Sequence, residues 1–568
     1  MLLQSSDDRP VLPTCILIVS TEMGLGKTLQ TISLILHNPP QGHVYGSSSS
    51  GPIDQPVCTV IVCPSIVVCK VWHEEIQKFV KPGTFRIKTY CGAENNRKQR
   101  SNKIISLLQK NELDILLATY SVIGAELEPL FNKRKTQRYD SIHDAKFFRV
   151  ILDEAHHIKN PKTDKFEGAK SIADNSRYCL ALTGTPLVNG PSDLFPLLSV
   201  LKYEPLDNQE TFDERIAKPI DQKQRAGLER LRKALAHVVL RRTKNMLPNI
   251  DLIGKKDIIC KVDFDNDAHK KTYKILYQVA HAAFDGLLNG GGEDDATSIK
   301  ITKNDGLTMA TRIIRCCCSP ALVPAAYIDR AQQELGGLQD NRGKIKKLTA
   351  SEAFHVLRNL EAGKKDQDDL SMTYRNDLST LPPAKITKLL HLIQDMSKDE
   401  KGIIFSQWTT FLDLIQEAMV DAGHQVVRID GNIPPNKRTE ALRSFSSDDN
   451  NAARFMLCSL GSGEGINLSR GNVVFVMDTW WNQAKELQAI DRCHRFGQSR
   501  PVRSYHLVMK NTLEERMLNT QKAKAVLGKG IMTPLNKQDE KVAKTREFLK
   551  DLYQLKSREE IAKDQRWE

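Results

Sequence analysis

The segment STEMGLGKT at 20–28 has the residue types and spacing of a loop that cradles phosphates. In such a loop glycines let the main chain approach the phosphates, Lys27 reaches the β- and γ-phosphates, and Thr28 ligates Mg²⁺. An apolar, β-branched run at 14–19 precedes the loop and a helical pattern follows it, which is the context that the motif requires. A glycine-rich turn capped by Thr28 is the structural alternative, and Thr21 stands where the motif has glycine. The motif assigns to the nucleotide Gly24, Leu25, Gly26, Lys27 and Thr28.

A second segment, KFFRVILDEAHH at 146–157, is apolar until Asp153 and Glu154. Ligands of open α/β sheets bind beyond the carboxyl ends of the strands. We therefore expect Asp153 to hold Mg²⁺, directly or through water, together with Thr28. We expect Glu154 to orient or deprotonate the attacking water. An acidic helix N-terminus is the alternative, and the phosphate loop in the same chain favours the catalytic interpretation.

Two arginines three residues apart, Arg492 and Arg495, lie in the segment QAIDRCHRFGQSRPV at 488–502. This spacing places both on one face of a helix. Directed at a γ-phosphate, they would stabilise the charge of the transition state. A solvated basic helix face explains the same spacing equally well.

These segments require strands that end at a common edge. Apolar strands alternate with amphipathic helices in two parts of the chain, which predicts an α/β fold with two parallel sheets covered by helices. The predicted division is a first lobe over 1–245 with a flexible loop at 38–56, a charged, mostly helical region over 246–380 with a flexible loop at 286–298, a second lobe over 381–535 and a charged helix over 536–568.

The composition sets limits on the class of protein. The chain has 568 residues, enough for two to four domains, and a net charge of +13, which suits a polyanionic partner. The 12 cysteines include no CxxC pair, and the triplet Cys316–Cys318 has the wrong spacing for tetrahedral zinc, so we expect reduced, packing cysteines and no zinc. The apolar stretch at 57–72 contains Pro64 and Lys70, which predicts a strand and a helix rather than a membrane span.

A series of further motifs extends from residue 22 to about 516. In order they are EMGLGKT, IVCPSIVV, DILLATYS, VILDEAHHIKN, ALTGTPLVN, VVLRRTK, IIFSQWT, RIDGN, GSGEGINL, DTWWNQ and QAIDRCHRFGQSRPV. The ordered set resembles the Swi/Snf-type branch of the superfamily-two helicase-like ATPases. The segments DEAHHIKN, IIRCCCSP and DRCHRFGQ resemble those of the branch with the helicase-like transcription factor and the RING-bearing repair translocases. We find no RING pattern in this sequence.

The resemblance implies two RecA-like lobes around an ATP cleft, a helical inter-lobe insertion, Mg²⁺, and ATP-driven translocation on double-stranded DNA without strand separation. It also implies a nuclear location, with nucleosomes or chromatin proteins as further candidate partners. Residues implied to serve the nucleotide in addition to the loop are Asp153, Glu154, Gln488, Arg492 and Arg495. Residues implied to couple hydrolysis to lobe movement are Thr183, Gly184 and Thr185, for which a β-turn before Pro186 is the alternative.

The resemblance further implies a track for the DNA backbone, built from small side chains and main-chain amides that bind phosphates without sequence specificity. An ordinary loop or cap role is an equal alternative for each of its residues. The track residues are Pro64, Ser65, Thr119, Tyr120, Ser406, Gln407, Gly463, Gly465 and Asn467.

The sequence departs from the family pattern at Thr21, Thr479 and Gln483. The family also carries, before the phosphate loop, a segment with an adenine-recognising glutamine. Only about two dozen residues precede Lys27, so we expect an N-terminally truncated chain. Three hypotheses result: a DNA-stimulated ATPase, a non-catalytic DNA- or chromatin-binding remnant, and an RNA helicase of the DEAH type, with which the second-lobe motifs disagree.

Overall fold

The computed structural model describes most of the two predicted lobes and divides the chain into two compact units. The first unit covers Met1–Leu252 and the second covers most of the chain from Ile253 onward. The described residues are 16–21, 24–46, 55–90, 97–131, 141–184, 191–222, 224–242, 254–289, 303–340, 342–361, 383–447, 449, 452–461, 466, 468–480, 483–495, 498–519 and 521.

The first unit contains a seven-stranded sheet in which every neighbouring pair is parallel, in the order β3-β4-β2-β5-β6-β1-β7. Because the central strands are mostly apolar and buried, they suit a sheet covered by helices on each side. The strands are β1 Ile16–Thr21, β2 Thr59–Cys63, β3 Ile87–Tyr90, β4 Ile115–Thr119, β5 Phe147–Leu152, β6 Ser176–Leu182 and β7 Val239–Arg242.

The helices of the first unit connect these parallel strands. They are α1 Lys27–His37, α2 Ile66–Phe79, α3 Arg97–Gln109, α4 Tyr120–Phe131, α5 Asp164–Asp174, α6 Leu194–Val200, α7 Gln209–Phe212, α8 Lys218–Asp221 and α9 Arg225–Val238. Helices α4 and α5 approach closely at Gly124 and Gly168. A Cβ atom on Gly124 would lie 2.7 Å from the Asp164 carbonyl oxygen. This contact therefore requires glycine and fixes the position of α4.

The second unit contains a six-stranded parallel sheet in the order β10-β11-β9-β12-β13-β8. Its strands are β8 Lys255–Val262, β9 Gly402–Ser406, β10 Val426–Ile429, β11 Phe455–Ser459, β12 Val473–Val476 and β13 Val502–Met509. The two parallel sheets with flanking helices confirm the predicted fold class.

The helices of the second unit are α10 Asp267–Asn289, α11 Lys303–Cys318, α12 Ala325–Leu338, α13 Ala350–Glu361, α14 Ala384–Gln394, α15 Thr409–Asp421, α16 Pro435–Ser446 and α17 Gln483–Ile490. The mostly helical region predicted over 246–380 also contains β8, an edge strand whose alternating exposure resembles a surface segment in the sequence. Helices α10 to α13 share one hydrophobic cluster with the second sheet. The other predicted lobe boundaries stay predictions.

The loop predicted to be flexible at 38–56 is anchored over its described first part. His43 is buried and its Nε2 lies 2.8 Å from Asp114 Oδ1. Asp114 also accepts from the Arg86 main-chain N–H at 2.7 Å and from Arg86 Nη2 at 2.9 Å. Tyr45 packs edge-on against Phe85, with ring centroids 4.9 Å apart. Over 38–46 a buried carboxylate thus contacts the loop, and the flexibility expected over 38–56 stays a prediction.

The stretch at 57–72 forms β2 and the start of α2, as predicted. Within the described ranges, every helix falls short of the length and apolar character that a bilayer-spanning segment needs. The predicted C-terminal helix over 536–568 lies outside the described residues.

Candidate active site

The phosphate loop forms the predicted strand–loop–helix turn between β1 and α1. Gly24 and Gly26 have φ of 85° and 73°, in the left-handed region that favours glycine. Lys27 is the first residue of α1, with half-buried Thr28 behind it and buried Leu25 before it. Lys27 Nζ donates to the Thr21 carbonyl oxygen at 3.2 Å. Because this contact uses the main chain, the departure from glycine at 21 does not prevent it.

Asp153 and Glu154 follow directly on β5, at the same edge of the sheet as the phosphate loop. Glu154 has φ of 46°, a strained conformation for a residue with a side chain. It precedes a 3₁₀ turn at Ala155–Ile158 without making a side-chain cap. The acidic-cap alternative is therefore not how Glu154 is used, and its strained position is typical of a functional residue.

The Asp153 carboxylate is held by two donors. Trp72 Nε1 donates to Oδ2 at 2.8 Å and the Glu154 main-chain N–H donates to Oδ1 at 3.0 Å. Burial, together with the charge of Glu154, raises the pKa of Asp153 to about 6, although Trp72 and Lys27 oppose the shift. Two adjacent carboxyl groups opposite an ammonium form a site that a divalent cation would stabilise. The residues present therefore fit Mg²⁺ bound to a triphosphate.

Aromatic side chains connect this turn to the end of β4. The Tyr120 hydroxyl donates to the Asp153 carbonyl oxygen at 2.9 Å. The Tyr120 ring stacks on His157 at 5.8 Å between centroids, and His157 lies 4.7 Å from the His156 ring. His156 Nδ1 is 3.3 Å from Glu154 Oε2. Burial raises the pKa of Tyr120, so its hydroxyl stays a donor.

The coupling candidates begin where β6 ends. Strand β6 lies between β1 and β5, so Thr183 and Gly184 sit between the phosphate loop and the acid pair. Thr183 is buried and its main-chain N–H donates to the Val19 carbonyl oxygen at 3.1 Å. Thr185 lies outside the described residues.

The track candidates of the first unit lie at the ends of β2 and β4. Pro64 and Ser65 are half-buried, and Ser65 Oγ caps α2 by accepting from the Val68 N–H at 3.4 Å. Thr119 is buried, with Oγ1 3.3 Å from Ser121 Oγ. The side chain of Tyr120 is 1% exposed. The Tyr120 hydroxyl is directed at Asp153, so its side chain supports the acid-pair turn rather than a ligand at the surface.

In the second unit Ser406 and Gln407 end β9 and are held by buried Asp478. The Ser406 hydroxyl donates to Asp478 Oδ2, and the Gln407 N–H lies 3.1 Å from the same oxygen. Burial raises the pKa of Asp478 to about 6. Gly463, Gly465 and Asn467 lie outside the described residues.

The segment next to Asp478 is supported by a buried ion pair. Lys385 Nζ donates to the Met477 carbonyl oxygen at 2.8 Å and to Glu514 Oε1 at 2.6 Å. Burial lowers the pKa of Lys385, but the charge of Glu514 outweighs it and the net shift is upward. The cysteine triplet beside this pair is free and buried, which confirms its predicted packing role.

Arg492 and Arg495 do not lie on a regular helix face, so that prediction was wrong. Helix α17 ends at Ile490, after which the chain tightens: the Arg492 N–H bonds to the Ala489 carbonyl three residues back, at 3.2 Å. The Arg492 carbonyl accepts from the Leu468 N–H at 3.2 Å, a contact from outside the helix. Arg492 is buried, Arg495 is half-buried, and Gln488 on α17 is buried.

Sequence reasoning assigned no role to Trp72, His156, His157 or Asp478. Trp72 lies four residues after the motif IVCPSIVV, and its partner Asp153 is 81 positions away. For the two histidines the only signal was their place beside the acid pair. The helical and strand periodicity of the sequence could not have indicated these contacts.

The site joins a phosphate loop, an acid pair and an intervening strand on one parallel sheet, and a second parallel sheet follows in the chain. These features define a P-loop nucleotide-binding fold with two RecA-like lobes. The SNF2-related domain model matches residues 12–322 and the helicase conserved C-terminal domain model matches residues 384–497. The chain belongs to the SNF2-related family of helicase-like ATPases.

Curated relatives agree with the expected branch. The chain is 28% identical to DNA repair protein RAD5A of Arabidopsis thaliana, over 91% of this chain and 58% of the relative. It is 27% identical to the human helicase-like transcription factor, over 86% of this chain and 52% of the relative. The chain thus spans about half the length of the curated relatives it matches.

Among solved structures, one match is the Sulfolobus solfataricus SWI2/SNF2 ATPase core in complex with dsDNA. It is 21% identical, with 95% of this chain and 93% of that chain covered and a TM-score of 0.34.

Proposed function

We propose that the chain is a DNA-dependent ATPase that translocates on double-stranded DNA without separating the strands. One observation carries the proposal: the phosphate loop after β1 and the acid pair after β5 flank β6 at one edge of the same sheet. That edge is where open parallel sheets bind their ligands.

The residues of the first unit divide the work of hydrolysis. Lys27 binds the β- and γ-phosphates through ammonium donors beyond the one directed at Thr21. Thr28 and Asp153 hold Mg²⁺, which neutralises charge on the phosphate oxygens when bound. Glu154 orients the attacking water and accepts its proton, because its carboxylate follows Asp153 on a strained, fixed turn.

The resemblance to the family extends this proposal to further residues. Gln488, Arg492 and Arg495 serve the same nucleotide, the arginines by stabilising transition-state charge. Thr183, Gly184 and Thr185 couple hydrolysis to lobe movement, and the main-chain bond from Thr183 to β1 supports this role.

The DNA track is proposed from the strand-end residues, with phosphate contacts that carry no sequence information. The net charge of +13 favours a polyanion. Because the named relatives are a DNA repair protein and a helicase-like transcription factor, we propose a nuclear role in repair or chromatin remodelling.

The test is ATP turnover by the purified chain with and without saturating duplex DNA, with RNA in a third arm. We expect DNA to raise turnover and RNA not to do so. Lys27→Ala and Glu154→Gln should abolish turnover, whereas Glu167→Gln, an exposed change on α5, should not. Release of a third strand from a DNA triplex, with no separation of a forked duplex, would demonstrate translocation.

Each alternative has its own outcome. Turnover that is indifferent to DNA would refute the proposal. Salt-sensitive DNA binding without any hydrolysis would identify a binding remnant instead. The logarithm of its binding constant should fall with the logarithm of the salt concentration, with a slope of about −0.9 per phosphate contact. Stimulation by RNA alone would indicate an RNA helicase.

A further inference from the structure

The turn that carries the acid pair is held by two buried aromatic side chains. Trp72 and Tyr120 are each 1% exposed. The Trp72 indole donates to the Asp153 carboxylate at 2.8 Å, and the Tyr120 hydroxyl donates to the Asp153 carbonyl oxygen at 2.9 Å. With the Glu154 N–H on the other carboxylate oxygen, Asp153 is fixed at three atoms.

Both aromatic residues belong to elements that begin at the proposed DNA track. Trp72 lies on α2, whose N-terminus is capped by the track candidate Ser65. Tyr120 opens α4 directly after the track candidate Thr119. A shift of either helix end would therefore change the hydrogen bonds to Asp153, because no flexible segment separates them.

A second set of contacts reaches the other acid. The Tyr120 ring stacks on His157, which packs against His156, and His156 Nδ1 is 3.3 Å from Glu154 Oε2. Tyr120 therefore contacts the Asp153 main chain directly and Glu154 through the two histidines. Tyr120 thus links the end of β4 to both acids.

We propose that Trp72 and Tyr120 are positioning residues that transmit duplex-DNA occupancy at the track to Asp153 and Glu154. The inference rests on the proposed function and specifies how DNA stimulates it. It also changes the role given to Tyr120, whose buried hydroxyl supports the acid-pair turn instead of contacting DNA.

A purely structural role predicts something different. If the two aromatic rings only fill the core, removal of a single donor would lower stability without altering the response to DNA or Mg²⁺. Groups that orient metal ligands typically change metal affinity or activity about 10- to 100-fold when they are removed. The DNA response and the Mg²⁺ requirement therefore separate positioning from packing.

The experiment compares Trp72→Phe and Tyr120→Phe with the wild-type chain. Each variant keeps an aromatic ring and loses one donor. Tyr90→Phe is the matched control, because the buried Tyr90 hydroxyl donates to Glu126 Oε1 at 2.5 Å, away from the acid pair. ATP turnover is measured against Mg²⁺ concentration with and without duplex DNA, duplex affinity is measured by fluorescence anisotropy, and folding by circular dichroism.

For Tyr120→Phe we expect unchanged duplex affinity, with the DNA-stimulated turnover lowered about 10-fold and the Mg²⁺ requirement raised by a similar factor. Trp72→Phe should show the larger Mg²⁺ effect, because it loses a bond to the carboxylate itself. If Trp72→Phe does not fold, Tyr120→Phe decides the matter, since it removes one oxygen atom.

Two results would count against different claims. If both variants match Tyr90→Phe in stimulation and in Mg²⁺ requirement, the positioning role is overturned while the proposed function stands. If the wild-type chain hydrolyses ATP without any response to DNA, the proposed function fails, and an unaltered Mg²⁺ requirement in the variants would then overturn the positioning role as well.

Discussion

The buried pair Lys385–Glu514 allows a stability prediction with a worked magnitude. Both side chains are 0% exposed, and Lys385 Nζ bonds to Glu514 Oε1 at 2.6 Å and to the Met477 carbonyl oxygen at 2.8 Å. Lys385→Met removes both bonds and leaves Glu514 charged in the core. Hydrogen bonds to charged groups contribute about 1.5–3 kcal/mol each, and a broken buried pair costs about 3–5 kcal/mol. We therefore expect the second unit to lose about 3–5 kcal/mol.

The assay is urea unfolding followed by far-ultraviolet circular dichroism, with Lys388→Met on the same helix as the control. Lys388 is half-buried, so its change should cost less than about 1 kcal/mol. Lys385→Met with Glu514→Leu should recover part of the loss: no unpaired charge then remains in the core, although the Met509 N–H loses its acceptor on Glu514. Equal unfolding midpoints for Lys385→Met and Lys388→Met would refute the reasoning, as would a double variant no more stable than Lys385→Met.

Three further predictions concern other buried groups. Burial raises the pKa of Glu486 to about 7 from 4.5; its folded state therefore keeps a proton that the unfolded chain loses, and stability falls as pH rises from about 4.5 to 7. When the free energy of unfolding is measured at pH 5 and pH 8, the fall between the two should be about 3 kcal/mol smaller for Glu486→Gln than for the wild-type chain. An equal fall in both proteins would contradict this. Asp114→Asn should lower the free energy of unfolding in urea by about 3 kcal/mol, because it leaves the Arg86 guanidinium without its carboxylate. An unchanged unfolding midpoint would contradict this prediction. Gly26→Ala should weaken ATP binding about 5- to 30-fold, since a φ of 73° costs a residue with a side chain about 1–2 kcal/mol. Gly336→Ala should leave ATP binding unchanged. Equal ATP affinities of the two variants would contradict a role for backbone strain at Gly26.

Local motifs allowed the nucleotide groups to be predicted from the sequence. The phosphate loop and the acid pair are each contiguous, and parallel strands bring their carboxyl ends to one edge. Strand β8 was missed because its exposed positions hid its pairing with β13, far along the chain. The Arg492 geometry was missed because a contact from Leu468 decides it. Contacts between distant segments leave no period in the sequence.

The two units hold their strand-end loops by the same physical means but with different consequences. In the first unit, donors from Trp72 and Tyr120 fix Asp153, a residue proposed to act in the chemistry. In the second unit, Asp478 fixes Ser406 and Gln407, which are proposed to contact DNA alone. Buried polar groups with satisfied bonds specify one arrangement, so these loops are ordered before a ligand arrives and binding need not order them. Only the first unit joins such a loop directly to the acid pair, and a response of hydrolysis to DNA is therefore expected to originate there.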